Sequence, residues 1–360
     1  MKVGVSSSYD LAELGADWTD LESRADGNFF LSWRWMGTWL DASGARPLLV
    51  KATENGKTIA LGLLTPCRRK RHLLSIRQLC LHETGQADFD SLTIEYNGFL
   101  TARSAPADTP VHILGALQAH SPDWDEIVLS GVAPGALSWA QAAGLHIETD
   151  RRSPVFGVDL SVSAGPWEDR LSANLRAQLR QSRAYAERSG PLTLNPARDT
   201  KQALEFFEAM AALHTAYWRE RGKPGAFASR FSQHFHRDLI AARSDLAQAE
   251  LLKITAGSQV LGYLYNFHYA GRVCNYQSGF AYGDDNRHRP GLVAHAMAIA
   301  QAQRGGMLIY DFLAGDAPYK ARLGGQIGAM AWCRAQRDRP ILRAERAARR
   351  LYQSLRGLGR

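Results

Sequence analysis

The sequence M-L-I-Y-D-F-L-A-G-D-A-P-Y-K-A-R-L-G-G, at residues 307–325, decides the fold. Its first seven residues are apolar except for one aspartate and predict a buried strand, and the glycines and proline that follow predict a loop. The strand carries Asp311, and the loop carries Asp316, Tyr319 and Lys320. A carboxylate in such a run loses hydration unless a donor or cation meets it, and Lys320 is close in sequence. Two interpretations stay open: an ion pair that pins the loop to the strand end, or a catalytic or substrate-binding role.

The composition of the whole chain is compatible with two lobes and with an anionic partner. At 360 residues with 45% hydrophobic content, the chain is long enough for one large or two medium domains, and we expect two lobes. Lys and Arg number 43 against 35 Asp and Glu, which gives a formal net charge of +8. This balance suits a nucleotide phosphate, RNA or an acidic membrane, and equally a basic protein with no such partner.

The cysteines and the N-terminal sequence exclude some classes of protein. The cysteines are far apart, with no C-x-x-C pair and no His at zinc-ligand spacing. We therefore predict reduced thiols, with no disulfide framework and no metal. The N-terminus lacks the apolar segment of a signal peptide, and no window approaches the roughly 18 uninterrupted apolar residues of a membrane helix. We expect a cytoplasmic protein.

The first half of the chain predicts a mixed α/β lobe. Ser32 is placed as the N-cap of an aromatic helix, and Asn55-Gly56 between apolar runs predicts a β-hairpin. Residues 82–98 form a long polar segment, and loops of that length inside compact domains tend to be functional. Its most interesting side chains are Glu95, Tyr96 and Asn97.

The second half predicts a long helix, an antiparallel meander and a second helix that starts at an anion site. A helix over residues 166–190 carries an arginine stripe, Arg176, Arg180 and Arg183, which is either a solvated face or a rail for phosphates. Strands are predicted at 249–255, 259–269 and 272–281, with a bulge or close backbone approach at Gly279. Pro290-Gly291 then opens a helix whose free N–H groups lie beside a cluster of basic residues, a ready anion site.

This order of elements resembles the GNAT acyltransferase core, and more closely its two-lobed branch, which includes CelD-like acyltransferases associated with cellulose biosynthesis and FemAB-like aminoacyl transferases. The resemblance covers most of the chain. The sequences that carry it are F-L-S-W-R-W from Phe30, E-Y-N-G-F-L from Glu95, N-L-R-A-Q-L-R from Asn174, H-T-A-Y-W-R-E-R-G from His214, Pro290-Gly291, and Y-D-F-L-A-G-D-A-P-Y-K from Tyr310.

The resemblance implies an α/β fold with two GNAT-like lobes, each a mixed, largely antiparallel sheet flanked by helices. We place the N-terminal lobe at residues 1–160 and the C-terminal lobe, with the active site, at 161–338. A basic amphipathic tail helix follows at 339–360, which caps the domain or touches a partner or membrane surface.

The resemblance also implies a role for each candidate site residue. Asp311 or Asp316 takes a proton or orients the acceptor, Tyr319 protonates the leaving group, and Lys320 neutralises its charge. We expect Asp311 and Lys320 to face a cleft near Gly291. The donor would be held by Tyr276, Gly279, Arg287, His288, Gly291, Arg176 and Arg180.

The donor itself stays open at this point. GNAT enzymes place Gln or Arg, two free positions, Gly, one free position, then Gly or Ala in the pyrophosphate loop. Here the register is H-R-P-G-L-V, and Pro290 removes one N–H donor. The resemblance allows acyl-CoA or an acyl-carrier protein, and the FemAB-like branch uses aminoacyl-tRNA instead, which the positive charge would suit.

The leading hypothesis is an acyltransferase that moves an acyl group from an acyl-thioester to an amine or hydroxyl in cell-surface polysaccharide or lipid metabolism. The first alternative is an aminoacyl-tRNA-dependent transferase. The second is a non-catalytic scaffold or binding protein at a membrane-bound synthase.

Overall fold

The fold is described here from a computed structural model that covers residues 1–71, 74–120, 123–162, 165–242 and 248–357, with side chains up to residue 349. The first half of the chain begins with a strand and two helices, continues as a meander, and ends in a long strand. Its elements are β1 Lys2–Ser6, α1 Leu11–Ser23, α2 Trp33–Ser43, β2 Leu48–Glu54, β3 Lys57–Arg71, β4 Leu74–Leu81, β5 Leu100–Thr101, α3 Thr109–His120, β6 Glu126–Val132, α4 Gly135–Ala142 and β7 His146–Asp159.

The second half repeats the pattern of meander, helix and parallel strand. Its elements are α5 Ala173–Ala186, β8 Leu192–Pro196, α6 Thr200–Arg219, α7 Arg230–Ala241, β9 Ala249–Ala256, β10 Gln259–Tyr269, β11 Arg272–Phe280, α8 Pro290–Arg304, β12 Ile309–Ala314, α9 Pro318–Leu323, β13 Gly325–Gln336 and α10 Pro340–Gly357.

Local signals in the sequence set several of these boundaries. The Ser32 hydroxyl accepts a hydrogen bond from the Trp35 N–H and caps α2, as predicted. Asn55 and Gly56 both have positive φ, 50° and 77°, in the two-residue turn between β2 and β3. Pro290 occupies the first turn of α8, where its missing N–H costs nothing.

The strands of the described residues form one sheet of thirteen that runs through both halves of the chain. The order is β1-β2-β3-β4-β6-β13-β7-β12-β11-β10-β9-β8, and β5 pairs with β3. The late strand β13 lies between β6 and β7 of the first half, and β7 also pairs with β12. Helices flank this mixed, largely antiparallel sheet, so the predicted fold class is confirmed. The division at residue 160 stays a prediction.

Parallel pairing occurs at one equivalent place in each half. In the first half, β4 pairs with β6 only over Gln78–Cys80, and the space beyond is filled by the chain itself. Asn97 bridges Val132 there, and its side chain donates to the Leu81 carbonyl. In the second half, β11 pairs with β12 only over Arg272–Cys274, after which the two strands diverge. We call this second opening the wedge.

Two hydrophobic cores cover opposite faces of the sheet in the second half. One contains α6, α7 and the aromatic side chains of the first half, where Phe29 stacks on Phe267 at 4.1 Å and Trp35 packs on Phe235. The other contains α5 and α8 with Tyr310 and Phe312 of β12. Because side chains alternate along a strand, successive residues of β12 point to opposite faces of the sheet.

The tail helix α10 is held against the sheet at its first turns. Leu342 is buried, and Glu345 pairs with Arg71 at 2.6 Å. Residues 358–360 of the predicted tail lie outside the described part of the chain. No helix of the described residues is both long and apolar enough to cross a membrane.

Gly279 of β11 is required by a close approach of α6. A Cβ at this position would lie 2.3 Å from the Met210 carbonyl oxygen, so the close backbone approach predicted from the sequence is confirmed. We expect Gly279→Ala to lower the free energy of unfolding by about 1–3 kcal/mol, because the helix backbone must move. The matched control is Gly115→Ala in α3, where a Cβ meets nothing within 4 Å. There we expect a gain of about 0.5–1 kcal/mol, measured by denaturant unfolding. Equal effects of the two substitutions would contradict the proposed clash.

Candidate active site

The wedge begins with a bulge in β11. Tyr265 pairs with Gln277 and Asn266 pairs with Asn275, so Tyr276 is the extra residue on its strand. Of the two alternatives predicted for Gly279, the close backbone approach occurs there, and the bulge of β11 lies three residues earlier. Tyr276 is buried against the aromatic cluster of Trp35 and Phe267, on the face of the sheet opposite α8.

A glutamate from the first half closes the other side of the wedge. The Glu95 carboxylate accepts a hydrogen bond of 2.7 Å from the Ala314 N–H at the end of β12, although 219 residues separate the two. Glu95 is only 5% exposed, and burial raises its pKa to about 7, opposed by this hydrogen bond and by the charge of Lys320. A carboxyl that titrates near neutral pH in a cleft suits general base chemistry.

The backbone on both sides of this contact is strained. Tyr96 has φ of 51° and Leu313 has φ of 60°, in the left-handed region that few residues with side chains adopt. Both residues sit next to the two partners of the hydrogen bond, Glu95 and Ala314. Strain of this kind costs about 1–3 kcal/mol and concentrates at functional sites.

Asp311 is fully buried, and both of its carboxylate oxygens accept hydrogen bonds. It receives hydrogen bonds from Arg272 at 2.6 Å, from the Tyr96 hydroxyl at 2.5 Å and from the Leu313 N–H at 2.7 Å. Its neighbours in β12 face α8, so Asp311 points to the opposite face, contrary to the expectation that it lies near Gly291. The contacts join β11, β12 and the 82–98 segment at the apex of the wedge.

Lys320 is buried beside the same strand end. Its ammonium donates to the carbonyls of Leu313 at 3.2 Å and Ala314 at 2.6 Å, and it forms no ion pair with Asp311. Burial lowers its pKa, while Glu95, Asp311 and Asp316 act in the opposite direction. Asp316 itself is exposed on the loop before α9.

Tyr319 lies on the α8 side of the wedge. Its ring stacks on His295 of α8, with centroids 5.3 Å apart, and is 39% exposed. Burial and the charge of Lys320 lower the pKa of His295 to about 3, so this imidazole is neutral at physiological pH. Tyr319 and Lys320, adjacent in α9, thus contact α8 and the end of β12 respectively.

The N-terminus of α8 carries the predicted basic cluster. Arg287 pairs with Asp285 at 2.6 Å, and His288 stacks on Tyr185 of α5. Arg289 is half-buried, and one of its terminal nitrogens has no hydrogen-bond acceptor. Gly291 packs against the Phe280 ring at the open end of β11. This end of the helix can hold an anion next to the wedge.

Arg176 has hydrogen-bond partners of its own, away from this cluster. Tyr185 of α5 stacks on His288, and Arg176 is nine residues earlier, about 13.5 Å along the helix axis. Its guanidinium donates to the carbonyls of Asp169 and Leu171, which closes the turn before α5. Arg180 is exposed. The structure therefore brings Arg287, His288 and Gly291 together at the start of α8, whereas the Arg176 guanidinium is engaged elsewhere. The predicted donor contact of Arg180 stays a prediction.

Sequence reasoning did not assign Glu95, Arg272, His295 or Tyr185 to the site. The unusual length and polarity of residues 82–98 pointed to Glu95, which was singled out without a role. Arg272 stands at the start of a predicted strand and carries no distinguishing signal, because its partner is 39 residues away. Among the described residues, no group of three or more His, Cys, Asp or Glu side chains could hold a metal ion.

Comparisons with known proteins match part of this chain to a described family. Residues 173–321 match the family described as acetyltransferase (GNAT) domain. A search of curated proteins gave no match.

Solved structures with the same fold cover nearly the whole chain. The C-terminal domain of a candidate lysylphosphatidylglycerol synthetase from Agrobacterium fabrum superposes with a TM-score of 0.58 at 13% identity, over 91% of this chain and 93% of that one. FemX gives 0.57 at 11% identity, over 92% and 97%. L-PGS from Bacillus licheniformis gives 0.53 at 12% identity, over 95% and 96%. Residues 173–321 therefore match a GNAT acetyltransferase domain, and nearly the whole chain shares its fold with these solved structures.

Proposed function

We propose that this chain is an acyltransferase that moves an acyl group from an acyl-thioester, acyl-CoA being the first choice, to an amine or hydroxyl acceptor within the wedge. The observation that carries the proposal is the divergence of β11 and β12 after Cys274 and Asp311. The carboxyl of Glu95, whose pKa is raised to about 7, lies at this opening. Unpaired strand backbone supplies N–H groups for a developing oxyanion, and Glu95 supplies a base.

In this proposal the roles divide between the two faces of the sheet. Glu95 takes the proton from the acceptor as its nitrogen or oxygen attacks the acyl carbonyl. Lys320 holds the end of β12 through its two carbonyl contacts and places a positive charge beside the reacting group. Tyr319 stays the predicted proton donor to the leaving sulfur. Asp311 receives no proton in this scheme, because Arg272, Tyr96 and Leu313 occupy it, and it positions the apex.

The donor's phosphates are assigned to the start of α8. Arg289, with one nitrogen lacking an acceptor, is the side chain best suited to bind them, and Arg287 would have to leave Asp285 to join it. Pro290 offers no N–H, so the side chains carry more of the binding than the backbone does. The predicted place of the reaction in cell-surface polysaccharide or lipid metabolism stays a prediction.

Binding of acetyl-CoA tests the donor. At a concentration 100 times its Kd, we expect acetyl-CoA to stabilise the chain by about 2.7 kcal/mol, which a thermal shift measures. Arg289→Ala is expected to reduce the shift, and Arg176→Ala, on the distant part of α5, is expected to keep it. Equal shifts in both variants would contradict the assignment of the phosphates.

The rival donor is aminoacyl-tRNA, and the net charge of +8 is the observation that favours it. FemX and L-PGS share the fold with this chain, which by itself does not decide the donor. If acetyl-CoA gives no thermal shift and charged tRNA binds with an affinity that falls steeply with salt, the tRNA-dependent reaction replaces the thioester reaction.

A further inference from the structure

Two cysteines that belong to none of the sequence motifs above lie side by side on strands of the first half. The sulfur atoms of Cys67 in β3 and Cys80 in β4 are 3.4 Å apart. Cys67 pairs with Gln78 and Cys80 pairs with Thr65, so the two thiols are diagonal neighbours on one face of an antiparallel pair. The separation of their sulfurs is about 1.4 Å longer than a disulfide bond.

The two thiols have different surroundings. Cys80 is 2% exposed, whereas Cys67 is half-buried. The hydrogen bond between them lowers the pKa of Cys67 and, together with burial, raises the pKa of Cys80. The thiolate therefore forms first on Cys67, the less buried of the two residues, and thiolates are the reactive form.

The pair adjoins both ends of the segment that carries Glu95. Leu81, directly after Cys80, accepts a hydrogen bond from the Asn97 side chain, and His82 bonds the same side chain at 2.8 Å. Asn97 is two residues from Glu95. Gly85 packs so closely on Cys67 that a Cβ there would lie 2.5 Å from the sulfur. A movement of either strand at the thiols is therefore passed to residues 82–98.

We propose that Cys67 and Cys80 are an oxidation site that closes to a disulfide and, in doing so, displaces the 82–98 segment with Glu95. Hydrogen peroxide is the oxidant. The Cys67 thiolate attacks one peroxide oxygen, which breaks the O–O bond, forms a sulfenic acid and releases hydroxide that is protonated to water. Cys80 then attacks the Cys67 sulfur, forming the S–S bond and releasing a second water. Two thiols lose two electrons and the peroxide gains them.

The diagonal placement makes this disulfide strained and reducible. Diagonal neighbours on antiparallel strands are about 7–8 Å apart, at or beyond the limit that a disulfide spans without backbone movement. Strained disulfides have higher reduction potentials than structural ones and reopen readily with thiols. The same movement that strains the bond displaces Leu81 and His82, so oxidation and loop position are coupled.

Alkylation after oxidation tests the disulfide. The full chain is treated with hydrogen peroxide, denatured, alkylated with iodoacetamide and analysed by mass spectrometry. We expect alkylation at two of the four cysteines and a linked peptide pair containing Cys67 and Cys80, with all four cysteines alkylated after dithiothreitol. Cys67→Ser and Cys80→Ser should form no link, whereas Cys333→Ser should still form it. Four alkylated cysteines in the oxidised wild type, or a link between another pair, would overturn the proposal.

Hydrogen exchange tests the coupling without an activity assay. Peptides from residues 82–98 should exchange faster in the oxidised wild type than in peroxide-treated Cys80→Ser, and equal exchange would refute the coupling. The consequence for catalysis rests on the proposed function. We expect oxidised protein to lose acyl transfer at least about tenfold and to regain it with dithiothreitol. A different outcome separates the two proposals. If the Cys67–Cys80 disulfide forms and residues 82–98 exchange faster, but the reduced protein transfers no acyl group, the role of Glu95 is refuted and the oxidation site stands.

Discussion

Glu95→Gln is expected to lower kcat/KM for acyl transfer by about 100- to 10,000-fold, with the fold retained. Glutamine has the shape of glutamate and its side-chain oxygen can still accept the Ala314 N–H, but it cannot take a proton from the acceptor. The wild-type kcat/KM should rise as pH increases through about 7, where Glu95 ionises, and level off above it. The variant should lose this dependence, which a pH series of initial rates measures.

Glu83→Gln is the matched control. Glu83 is also a buried carboxyl, and burial raises its pKa to about 8, but it accepts from the Ser130 hydroxyl and lies outside the wedge. We expect its substitution to leave the pH profile unchanged. A Glu95→Gln enzyme that keeps its rate, or a Glu83→Gln enzyme that loses the acid limb, would contradict the assignment of the base.

The raised pKa of Glu95 also predicts how stability depends on pH. Between about 4.5 and 7 the folded state holds a proton on Glu95 that the unfolded state has lost, so this group's contribution to stability falls as pH rises through that window. The Glu95→Gln variant should therefore unfold with a shallower loss of stability over the same window. Denaturant midpoints measured across these pH values check this difference.

The second large effect is on stability. Asp311→Ala is expected to cost about 3–5 kcal/mol of unfolding free energy, because the Arg272 guanidinium and the Tyr96 hydroxyl lose their buried acceptor. Asp20→Ala removes a carboxylate from an exposed ion pair with Arg24 and should cost less than about 1 kcal/mol. Chemical denaturation of both variants gives the comparison.

Two further variants distinguish a positioning role of Asp311 from a direct role in the reaction. Combining Asp311→Leu with Arg272→Met removes both charges, and it should recover part of the stability that Asp311→Ala loses. If Asp311→Asn instead keeps wild-type stability and abolishes acyl transfer, the carboxylate acts in the chemistry and the positioning role is refuted.

The sequence supports the local elements better than the long-range ones. The N-cap at Ser32, the turn at Asn55-Gly56 and the start of α8 at Pro290 each depend on residues next to one another, so propensity and capping rules suffice. The placement of β13 between β6 and β7 depends on contacts across about 200 residues, which no local pattern encodes.

The same limit applied to the site. The run around Asp311 predicted a buried carboxylate near Lys320, and both are buried. The pattern could not tell which face of the sheet Asp311 takes, nor that Arg272 would be its partner. Glu95 reaches Ala314 only because the two halves share one sheet, so a residue of the first half completes an opening in the second.

The contrast between the two parallel strand pairs has a consequence for binding stoichiometry. Although the halves repeat one architecture, Asn97 and its neighbours already fill the space between β4 and β6, where an equivalent ligand would lie. Only the β11–β12 opening of the described chain is left for a donor. A calorimetric titration with acetyl-CoA should therefore saturate at one equivalent per chain. The repeated architecture extends the sheet but provides one donor-binding site rather than two.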